Sequence, residues 1–372
     1  MVDGFVSRHR SSRTKARVIS WKMHPFRMAA PLDDVAHLAE IDKGRMLEQM
    51  LAFPRQIEEA LQKEVTIDGS AESVCLCGMG GSAIGGDILC DYAAAVSEVP
   101  IAVVRGLDLP KWVGPETLVL MVSYSGNTWE VNELFERAKA TGASIVGVTS
   151  GGALQDRCES QGSPVISVPK GLQPRAALGY LLGSAGVALD TVNVLPARRD
   201  LGRSTGAVAD LMQNLSPGVP TDVNMAKKIA VRLNGRLPVI YAPRTIRSVA
   251  LRWQTQINEN AKMIAFSGEY PEMNHNQIVG WVEGEVRKEM APIFLRSSSP
   301  SGILAERMAV TVGLIKESKI DPLVVELSGR SVLETVLIGI ALGDLVSFYL
   351  AALRGVDPTP VNSIVELKKR MR

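Results

Sequence analysis

Short apolar runs alternate with longer amphipathic stretches along most of this chain. In its first half they predict strands over residues 74–77, 101–104, 117–122, 144–148 and 165–168, with helix-compatible segments after most of them. A helix with Pro54 near its middle is predicted before them, over 46–63. Alternating strands and helices are typical of a parallel β-sheet covered on both faces. The first half is therefore predicted to be a doubly wound α/β domain.

The same alternation begins again after a polar stretch. Residues 190–225, which contain three prolines, are interpreted as the interdomain connection, with a helix over 204–215. Strands are then predicted over 237–242, 291–295 and 322–327, and helices over 246–264, 303–317 and 332–353. This smaller sheet of the same type suggests a diverged duplication. We predict a leader over 1–30, a first domain over 31–205 and a second over 206–372.

Two turns after predicted strands carry candidate binding chemistry. The first strand runs into GMGGSA (78–83), and the third into SYSGNT (123–128). Glycines allow a tight turn and a close approach to a ligand, and the N–H groups at a helix start attract anions. Hydroxyl groups are good donors to phosphate oxygens. Since both turns lie at one edge of a parallel sheet, they indicate a site for a phosphorylated small molecule, and the hydroxyls favour a phosphate monoester.

The glycine turn also fits a loose dinucleotide-binding pattern, G-x-G-x-x-A. That motif needs an acidic residue at the end of the second strand. Here the strand is followed by Arg105, and the first acid after it is Asp108. A nicotinamide-dependent oxidoreductase therefore remains an alternative, although the acidic residue expected at the end of the second strand is missing. A nucleotide P-loop is excluded, because the sequence contains no G-x-x-x-x-G-K-[ST].

Charge is distributed unevenly along the 372 residues. Residues 1–30 carry seven Lys/Arg and one acid, so this leader contributes +6 to the chain's net charge of +2 and leaves −4 for the rest. A mildly acidic body argues against nucleic-acid binding. The leader lacks the long apolar core of a secretory signal. We interpret it as a disordered tail, or as sequence upstream of a true start at Met28, in preference to a targeting segment.

The cysteines and the longest apolar run bear on metal binding and location. Cys75 and Cys77 are interpreted as lying on opposite faces of a strand, and no zinc pattern is found in the sequence. The thiols are read as buried apolar groups in a reducing compartment, which predicts a cytoplasmic protein.

The run 335–353 approaches transmembrane length. Because Asp344 and several small residues interrupt it, a core helix is favoured over a membrane span.

Three side chains outside the two turns are candidates for catalysis, each with an ordinary alternative. Arg175 opens a predicted helix at the edge that carries the turns, and is either an anion clamp or a surface arginine. Glu259 lies between two asparagines near a predicted helix end, and is either a general base or a solvated carboxylate. His275 lies in a polar loop, and is either a proton carrier or an ordinary surface histidine.

Six separated stretches together resemble one family. They are GMGGSAIGGD, SYSGNT, VPKGLQPRAAL, NENAK, EMNHNQIVGW and the tail RGVDPTP…ELKKRM, in this order. They are similar to those of bifunctional phosphoglucose/phosphomannose isomerases, which are short two-domain relatives of phosphoglucose isomerase. The resemblance extends from about residue 40 to the C-terminus. It implies two sugar isomerase (SIS) domains, each a mostly parallel, flavodoxin-like sheet flanked by helices.

The resemblance also implies roles for individual residues. Thr359 in the Pro-Thr-Pro turn matches the threonine associated with accepting the mannose epimer. The sugar phosphate would be held by Gly80, Gly81, Ser82, Ser123, Ser125 and Thr128.

The catalytic roles implied by the resemblance fall on four residues. Glu259 would move a proton between C2 and C1 of the substrate, and Arg175 would stabilise the enediolate. His275 would open the sugar ring from the neighbouring subunit of a homodimer. Lys368, or the adjacent Lys369, would assist ring opening or orientation.

The activity implied by the resemblance is an aldose–ketose isomerisation. Glucose 6-phosphate and mannose 6-phosphate would be interconverted with fructose 6-phosphate through a cis-enediol, without a metal or a cofactor. A non-catalytic sugar-phosphate sensor is the first alternative, although it would need neither Glu259 nor His275. Amidotransfer is a second alternative, but it would require an N-terminal nucleophilic cysteine, and Cys75 is internal.

Overall fold

The computed structural model describes residues 32–285, 289–297 and 302–371. The predicted leader over 1–30 lies outside these residues. Within them the chain forms two parallel β-sheets packed with helices. Alternate residues of the first sheet enter two separate apolar clusters, Leu76 and Leu120 in one, Cys77 and Met121 in the other. Helices therefore cover both faces of this sheet, as the sequence predicts.

The first sheet consists of five strands in the spatial order β2-β1-β3-β4-β5, all parallel. The strands β1 and β3 are neighbours although they are not consecutive in the chain, which is the flavodoxin-like order. Their turns consequently meet at the carboxyl edge of the sheet. The strands are β1 (Ser73–Gly78), β2 (Ile101–Val104), β3 (Thr117–Ser123), β4 (Ser144–Thr149) and β5 (Val165–Ser167).

The helices of the first half precede and cover this sheet. The predicted helix over 46–63 is two helices, because Pro54 lies in the first turn of the second one, where a missing N–H is tolerated. The helices are α1 (Val35–Ile41), α2 (Met46–Leu51), α3 (Phe53–Leu61), α4 (Ile84–Val96), α5 (Trp129–Ala140), α6 (Gly152–Gln161), α7 (Leu178–Thr191) and α8 (Ala197–Asn214).

The second sheet repeats the first topology with four parallel strands, in the order β7-β6-β8-β9. The edge strand β7 (Phe266–Tyr270) was not predicted, because its sequence FSGEY is short and half polar. The other strands are β6 (Leu237–Pro243), β8 (Met290–Ser297) and β9 (Leu323–Leu327). The helices are α9 (Met225–Leu233), α10 (Arg247–Asn260), α11 (Gln277–Val282), α12 (Gly302–Glu317), α13 (Val332–Leu353) and α14 (Asn362–Arg370).

The stretch interpreted as the interdomain connection is more ordered than its composition suggests. The helix α8 begins seven residues before the predicted helix over 204–215, and α9, which was not predicted, follows it. The predicted domain boundary between residues 205 and 206 falls inside α8. A polar, proline-containing stretch therefore forms a long helix, because α8 has an apolar side that packs against α3 and α13.

Helix α13 is the central helix of the protein. Among the described residues it is the one helix long and apolar enough to span a membrane, yet 89% of its most apolar window is buried inside the protein. It packs against α8 from the first half and against α9 and α10 from the second. The prediction of a core helix is confirmed. Asp344, the acid within it, is buried in an ion pair with Arg252, with Nη2 to Oδ2 at 2.7 Å.

The prediction for Cys75 and Cys77 is wrong. Their sulfur atoms lie 3.7 Å apart, and both side chains enter the same apolar cluster. Residues two positions apart on a strand point to the same face, so the pair shares a side of β1. The prediction that the thiols are buried holds for Cys75, Cys77 and Cys158, whereas Cys90 is half-buried.

Candidate active site

The turns after β1 and β3 are joined at the carboxyl edge of the first sheet. The first is a short 3₁₀ turn, Gly80–Ser82, and the Ser82 hydroxyl accepts a hydrogen bond from the N–H of Tyr124, at 3.2 Å. The Ser123 hydroxyl is buried and donates to Thr128 Oγ1 at 2.9 Å. Ser125 is exposed and accepts from a neighbouring backbone N–H. Ser123 therefore orients Thr128, and Ser125 and Thr128 are the more accessible hydroxyls.

Arg175 packs directly against the glycine turn. It belongs to the 3₁₀ turn Pro174–Ala176, just before α7. A Cβ added at Gly81 would lie 2.9 Å from the Arg175 Cα, closer than non-bonded carbon atoms approach. Glycine at this position therefore allows the glycine turn and the arginine turn to touch. The structure thus brings Gly80, Gly81 and Ser82 next to Arg175, as the sequence predicts.

The Arg175 side chain connects three distant parts of the chain. It is 2% exposed, so the surface-arginine alternative is excluded. Its Nε donates to Asn260 Oδ1 at 2.7 Å, and its Nη2 donates to the carbonyls of Pro358 and Thr359, each at 2.8 Å. Its Nη1 lies 3.5 Å from Glu259 Oε2. Burial lowers the pKa of Arg175, and the Glu259 carboxylate opposes this shift.

Glu259 borders an open cavity beside the C-terminal segment. It lies in the last turn of α10, with 25% of its side chain exposed. The cavity has a volume of about 410 Å³ and is lined by Glu259, Lys262 and residues 360–364. A carboxylate that is partly shielded, close to a buried guanidinium and open to a cavity has the arrangement expected of a general base. The solvated-carboxylate alternative does not account for the Arg175 contact.

Lys262 holds the Glu259 backbone and the C-terminal turn together. Its Nζ donates to the carbonyl of Glu259 at 2.6 Å and to that of Pro358 at 3.1 Å. Burial lowers the pKa of Lys262, and the nearby charge of Arg175 lowers it further. Although Lys262 is part of the NENAK stretch, its role was not predicted, because nothing in the sequence shows which carbonyls a lysine will reach.

A buried ion pair supports the site from beneath. Arg252 Nη2 donates to the carbonyl of Arg175 at 2.8 Å, and Asp344 neutralises Arg252. Asn260 is fully buried and donates to the Ser347 hydroxyl at 2.9 Å. In the sequence, Asp344 and Asn260 stand out only as unusual residues within helices. These two anomalies were the available signal, since a polar residue inside an apolar helix requires a partner.

His275 and Lys368 do not join this cluster within one chain. His275 is exposed and lines a separate cavity of about 560 Å³, bordered by α11 and α12. Lys368 is exposed on α14, a helix with no buried residue. In the described part of the chain, neither side chain has a hydrogen bond or ion pair with Arg175 or Glu259. Within residues 32–285, 289–297 and 302–371, no group of three or more metal-ligating side chains is found.

Comparison with known proteins decides the family. The chain is 36% identical over 337 residues to the bifunctional phosphoglucose/phosphomannose isomerase of Caldicellulosiruptor bescii, covering 88% of this chain and 98% of the relative. The chain belongs to the bifunctional phosphoglucose/phosphomannose isomerase family. A second member, from Aquifex aeolicus, is 32% identical over 322 residues, covering 86% of this chain and 96% of the relative.

Two further comparisons agree with this assignment. Residues 222–371 match the family model of the bacterial phospho-glucose isomerase C-terminal SIS domain. The crystal structure of a hypothetical protein from Thermus thermophilus superposes with a TM-score of 0.70 at 18% identity, covering 92% of this chain and 94% of that one. The latter likeness shows the fold alone. The family and the two-sheet α/β fold predicted from the sequence are confirmed.

Proposed function

We propose that the chain interconverts glucose 6-phosphate and mannose 6-phosphate with fructose 6-phosphate, the activity for which its family is named. The observation that supports this most directly is the placement of Glu259. Its carboxylate faces a cavity and lies 3.5 Å from the buried guanidinium of Arg175. The glycine turn at the carboxyl edge of the first sheet packs against the same arginine. A base, a cation and an anion-binding edge thus form one contiguous site.

The phosphate group is anchored at the turns of the first sheet. Ser125 and Thr128 supply the accessible hydroxyls, Ser82 joins the two turns, and the N–H groups of Gly80 and Gly81 point toward the ligand in our proposal. A phosphate is remote from the reacting carbons of a hexose phosphate. Its binding energy therefore fixes the sugar chain relative to Glu259.

Glu259 then carries the proton. It removes the proton from C2 of the open-chain aldose; the C2–H electrons form the C1–C2 double bond, and the C1 carbonyl electrons move onto O1. A proton passes from O2 to O1, the C2 carbonyl forms, and Glu259 returns its proton to C1 to give the ketose. The enediolate oxygen develops negative charge in this step. Arg175 Nη1 faces the Glu259 carboxylate, whereas Nε and Nη2 are bound to protein groups. In our proposal, Nη1 therefore stabilises that charge.

Ring opening is assigned to His275 of a neighbouring copy. Helix α10 runs back along the second sheet, so its last turn, with Glu259, lies at the amino edge. His275 follows β7 and lies at the opposite, carboxyl edge. Five strand residues at about 3.3 Å each separate the two edges by about 16 Å. One chain therefore does not place His275 beside Glu259, and a homodimer supplies it in trans.

Exposed apolar side chains border both halves of this proposed interface. Beside His275, Ile303 and Val310 on α12 are 69% and 58% exposed. On α14, whose first residues line the Glu259 cavity, Ile364 and Leu367 are 38% and 58% exposed. Such patches are typical of surfaces that are covered in an assembly. Pairing them would bring Lys368 and His275 of two chains toward one site.

The first test is an assay with fructose 6-phosphate as the common ketose. Glucose 6-phosphate and mannose 6-phosphate are followed separately, in the presence of EDTA. Both products are expected, and EDTA is expected to leave the rates unchanged. Glucose 6-phosphate alone would remove the mannose activity and the role of Thr359. If neither product forms, the chain is not an isomerase, and binding of sugar phosphates by a non-catalytic sensor becomes the explanation.

The dimer is tested by mixing inactive variants. Glu259→Gln and His275→Ala subunits are each expected to be inactive alone. After subunit exchange, a mixed dimer contains one intact site, so activity should return. The control is a mixture of Glu259→Gln with a double variant that carries both changes, in which no intact site can form. Confirmed exchange without recovery would place both residues in one chain.

A further inference from the structure

The turn between α1 and α2 lies against the side chain of Thr359. Gly44 in this turn has no room for a side chain, since an added Cβ would lie 2.2 Å from Thr359 Oγ1, 2.4 Å from its Cβ and 2.5 Å from its Cγ2. The backbone of Gly44 lies outside the left-handed region, so alanine is conformationally allowed there. The contact with Thr359 alone is what excludes a side chain.

The α1–α2 turn is held rigidly in this position. The Asp42 carboxylate accepts hydrogen bonds from the N–H groups of Met46 and Leu47, at 2.7 and 2.8 Å. Gln49 Nε2 donates to the carbonyl of Gly44 at 3.0 Å. Gln49 Oε1 accepts from the N–H of Gln173, two residues before Arg175, at 3.4 Å. The turn is therefore tied to the arginine turn of the active site.

Thr359 is held equally firmly by its backbone. Its N–H donates to Asp357 Oδ1 at 2.9 Å, and its carbonyl accepts from Arg175 Nη2 at 2.8 Å. Its side chain is β-branched, and such side chains have few accessible rotamers. A methyl group at position 44 would consequently be accommodated by turning or displacing the Thr359 side chain.

The Thr359 hydroxyl is buried and has no hydrogen-bond partner among the described residues. An unpaired buried hydroxyl is unfavourable unless a ligand or water supplies the missing partner. Thr359 contacts the same guanidinium as Glu259, the proposed base that acts at C2. Glucose 6-phosphate and mannose 6-phosphate differ only in configuration at C2. Because the Thr359 carbonyl binds the guanidinium beside Glu259, the unpaired hydroxyl in our proposed site lies near C2, where the two epimers differ.

We infer that Gly44 is a specificity-determining residue, which sets the position of the Thr359 side chain and so the ratio of mannose to glucose activity. The inference rests on the proposed function. It assigns a role in the site to the helical segment before the first sheet. Gly44 acts through Thr359 and is therefore a positioning residue.

The test compares Gly44→Ala with Gly206→Ala. Gly206 lies on the exposed side of α8 with nothing within 4 Å of an added Cβ. The kcat/KM values of its variant with both epimers should therefore equal those of the wild type. For Gly44→Ala, kcat/KM with mannose 6-phosphate should fall about tenfold more than kcat/KM with glucose 6-phosphate, a difference of about 1.4 kcal/mol. Equal losses with both epimers would show a merely structural role and overturn the inference.

A double-variant cycle shows whether Gly44 acts through Thr359. Thr359→Gly removes the three atoms that an alanine at position 44 would meet. Adding Gly44→Ala to Thr359→Gly should therefore cost no further stability in a urea titration, whereas Gly44→Ala alone should shift the midpoint. Additive midpoint shifts would contradict the contact.

Two outcomes keep this inference separate from the proposed function. If Gly44→Ala does not fold, Thr359→Ser takes its place, because it keeps the hydroxyl but loosens the contact by removing Cγ2. At least a twofold shift in the mannose-to-glucose ratio is then expected, and an unchanged ratio overturns the inference. A wild-type protein without mannose 6-phosphate activity would refute that part of the proposed function instead.

Discussion

The two sheets have a similar strand order, but different side chains lie at their carboxyl edges. At the first edge, a glycine turn and a hydroxyl-rich turn meet beside Arg175, whose Nη1 lies 3.5 Å from Glu259 Oε2. At the second edge, a cavity of about 330 Å³ is lined by apolar side chains together with hydroxyl groups and two arginines. Its two arginines are paired, Arg296 with Glu326 at 2.9 Å and Arg330 with Glu334 at 2.7 Å.

In our proposal, the shared topology alone therefore does not produce a phosphate site. Both edges offer parallel strand ends and helix starts, but Arg175 at the first edge is 2% exposed and packs against the glycine turn, whereas Arg296 and Arg330 at the second are 37% and 74% exposed. In our proposal, the second sheet contributes through its opposite edge instead, where α10 ends at Glu259. In our proposal, two sheets of similar topology are thus used in two orientations, one for binding and the other for chemistry.

The largest expected effect is on kcat and tests the role proposed for Glu259. Glu259→Gln keeps the size of the side chain and removes its basicity, so kcat should fall about 10²–10⁴-fold. Binding of a non-reacting sugar phosphate should survive, because the anchoring turns belong to the other sheet. Steady-state kinetics and a calorimetric titration measure the two effects. Near wild-type turnover would refute the assignment of the base.

The next effect concerns the support beneath Arg175. Asp344→Ala leaves the buried Arg252 charge without its partner, which typically costs about 3–5 kcal/mol of unfolding free energy. Urea denaturation measures this loss. The double variant Arg252→Met with Asp344→Leu removes both charges and should recover most of the stability, although the carbonyl of Arg175 loses its donor. If the single variant is as stable as the wild type, the pair does not support the site.

The stability of the contact between α4 and the start of α10 should depend on pH. Asp91 on α4 accepts the N–H of Ser248 at 2.8 Å, at the start of α10, and burial raises its pKa from 3.8 to about 6. The folded protein then binds a proton that the unfolded chain does not bind between these two values. Protonated Asp91 therefore contributes up to about 3 kcal/mol to the free energy of unfolding at low pH. This contribution is lost as the pH rises through about 6.

The measurement compares the wild type with Asp91→Asn by urea denaturation at pH 5 and pH 7.5. The gap in unfolding free energy between the two proteins should differ between the two pH values, since only the wild type titrates at this position. Other carboxylates titrate in both proteins and cancel in the comparison. A gap independent of pH would show that Asp91 is ionised throughout this range.

Much of the first half follows from local sequence patterns. Apolar runs of four to six residues between glycine turns placed β1 to β5 within two residues of their observed bounds, because buried parallel strands have continuous apolar sequences. The failures involve long-range contacts or local polarity. Strand β7 is an edge strand with a polar sequence, and the start of α8 depends on packing against distant helices.

For the candidate site, the sequence identified residues better than their partners. Local motifs are enough to mark Arg175 and Glu259 as candidates, yet their contact joins positions 84 residues apart in the chain. The contacts of Lys262 and of Gly44 have no sequence pattern, because each depends on where the C-terminal turn returns. The error for Cys75 and Cys77 was of another kind, since strand periodicity already places such residues on one face.

The smallest expected effect compares the two carboxyl edges directly. Thr128→Val removes one hydroxyl from the first edge and keeps the shape of the side chain. Losing a hydrogen bond to a charged phosphate should raise KM about tenfold, with kcat less affected because the phosphate is remote from C1 and C2. Thr245→Val makes the same change at the second edge, in the cavity whose arginines are already paired, and should leave KM unchanged. Equal increases in KM would mean that both edges contribute to substrate binding, and an increase for Thr245→Val alone would move the phosphate site to the second sheet.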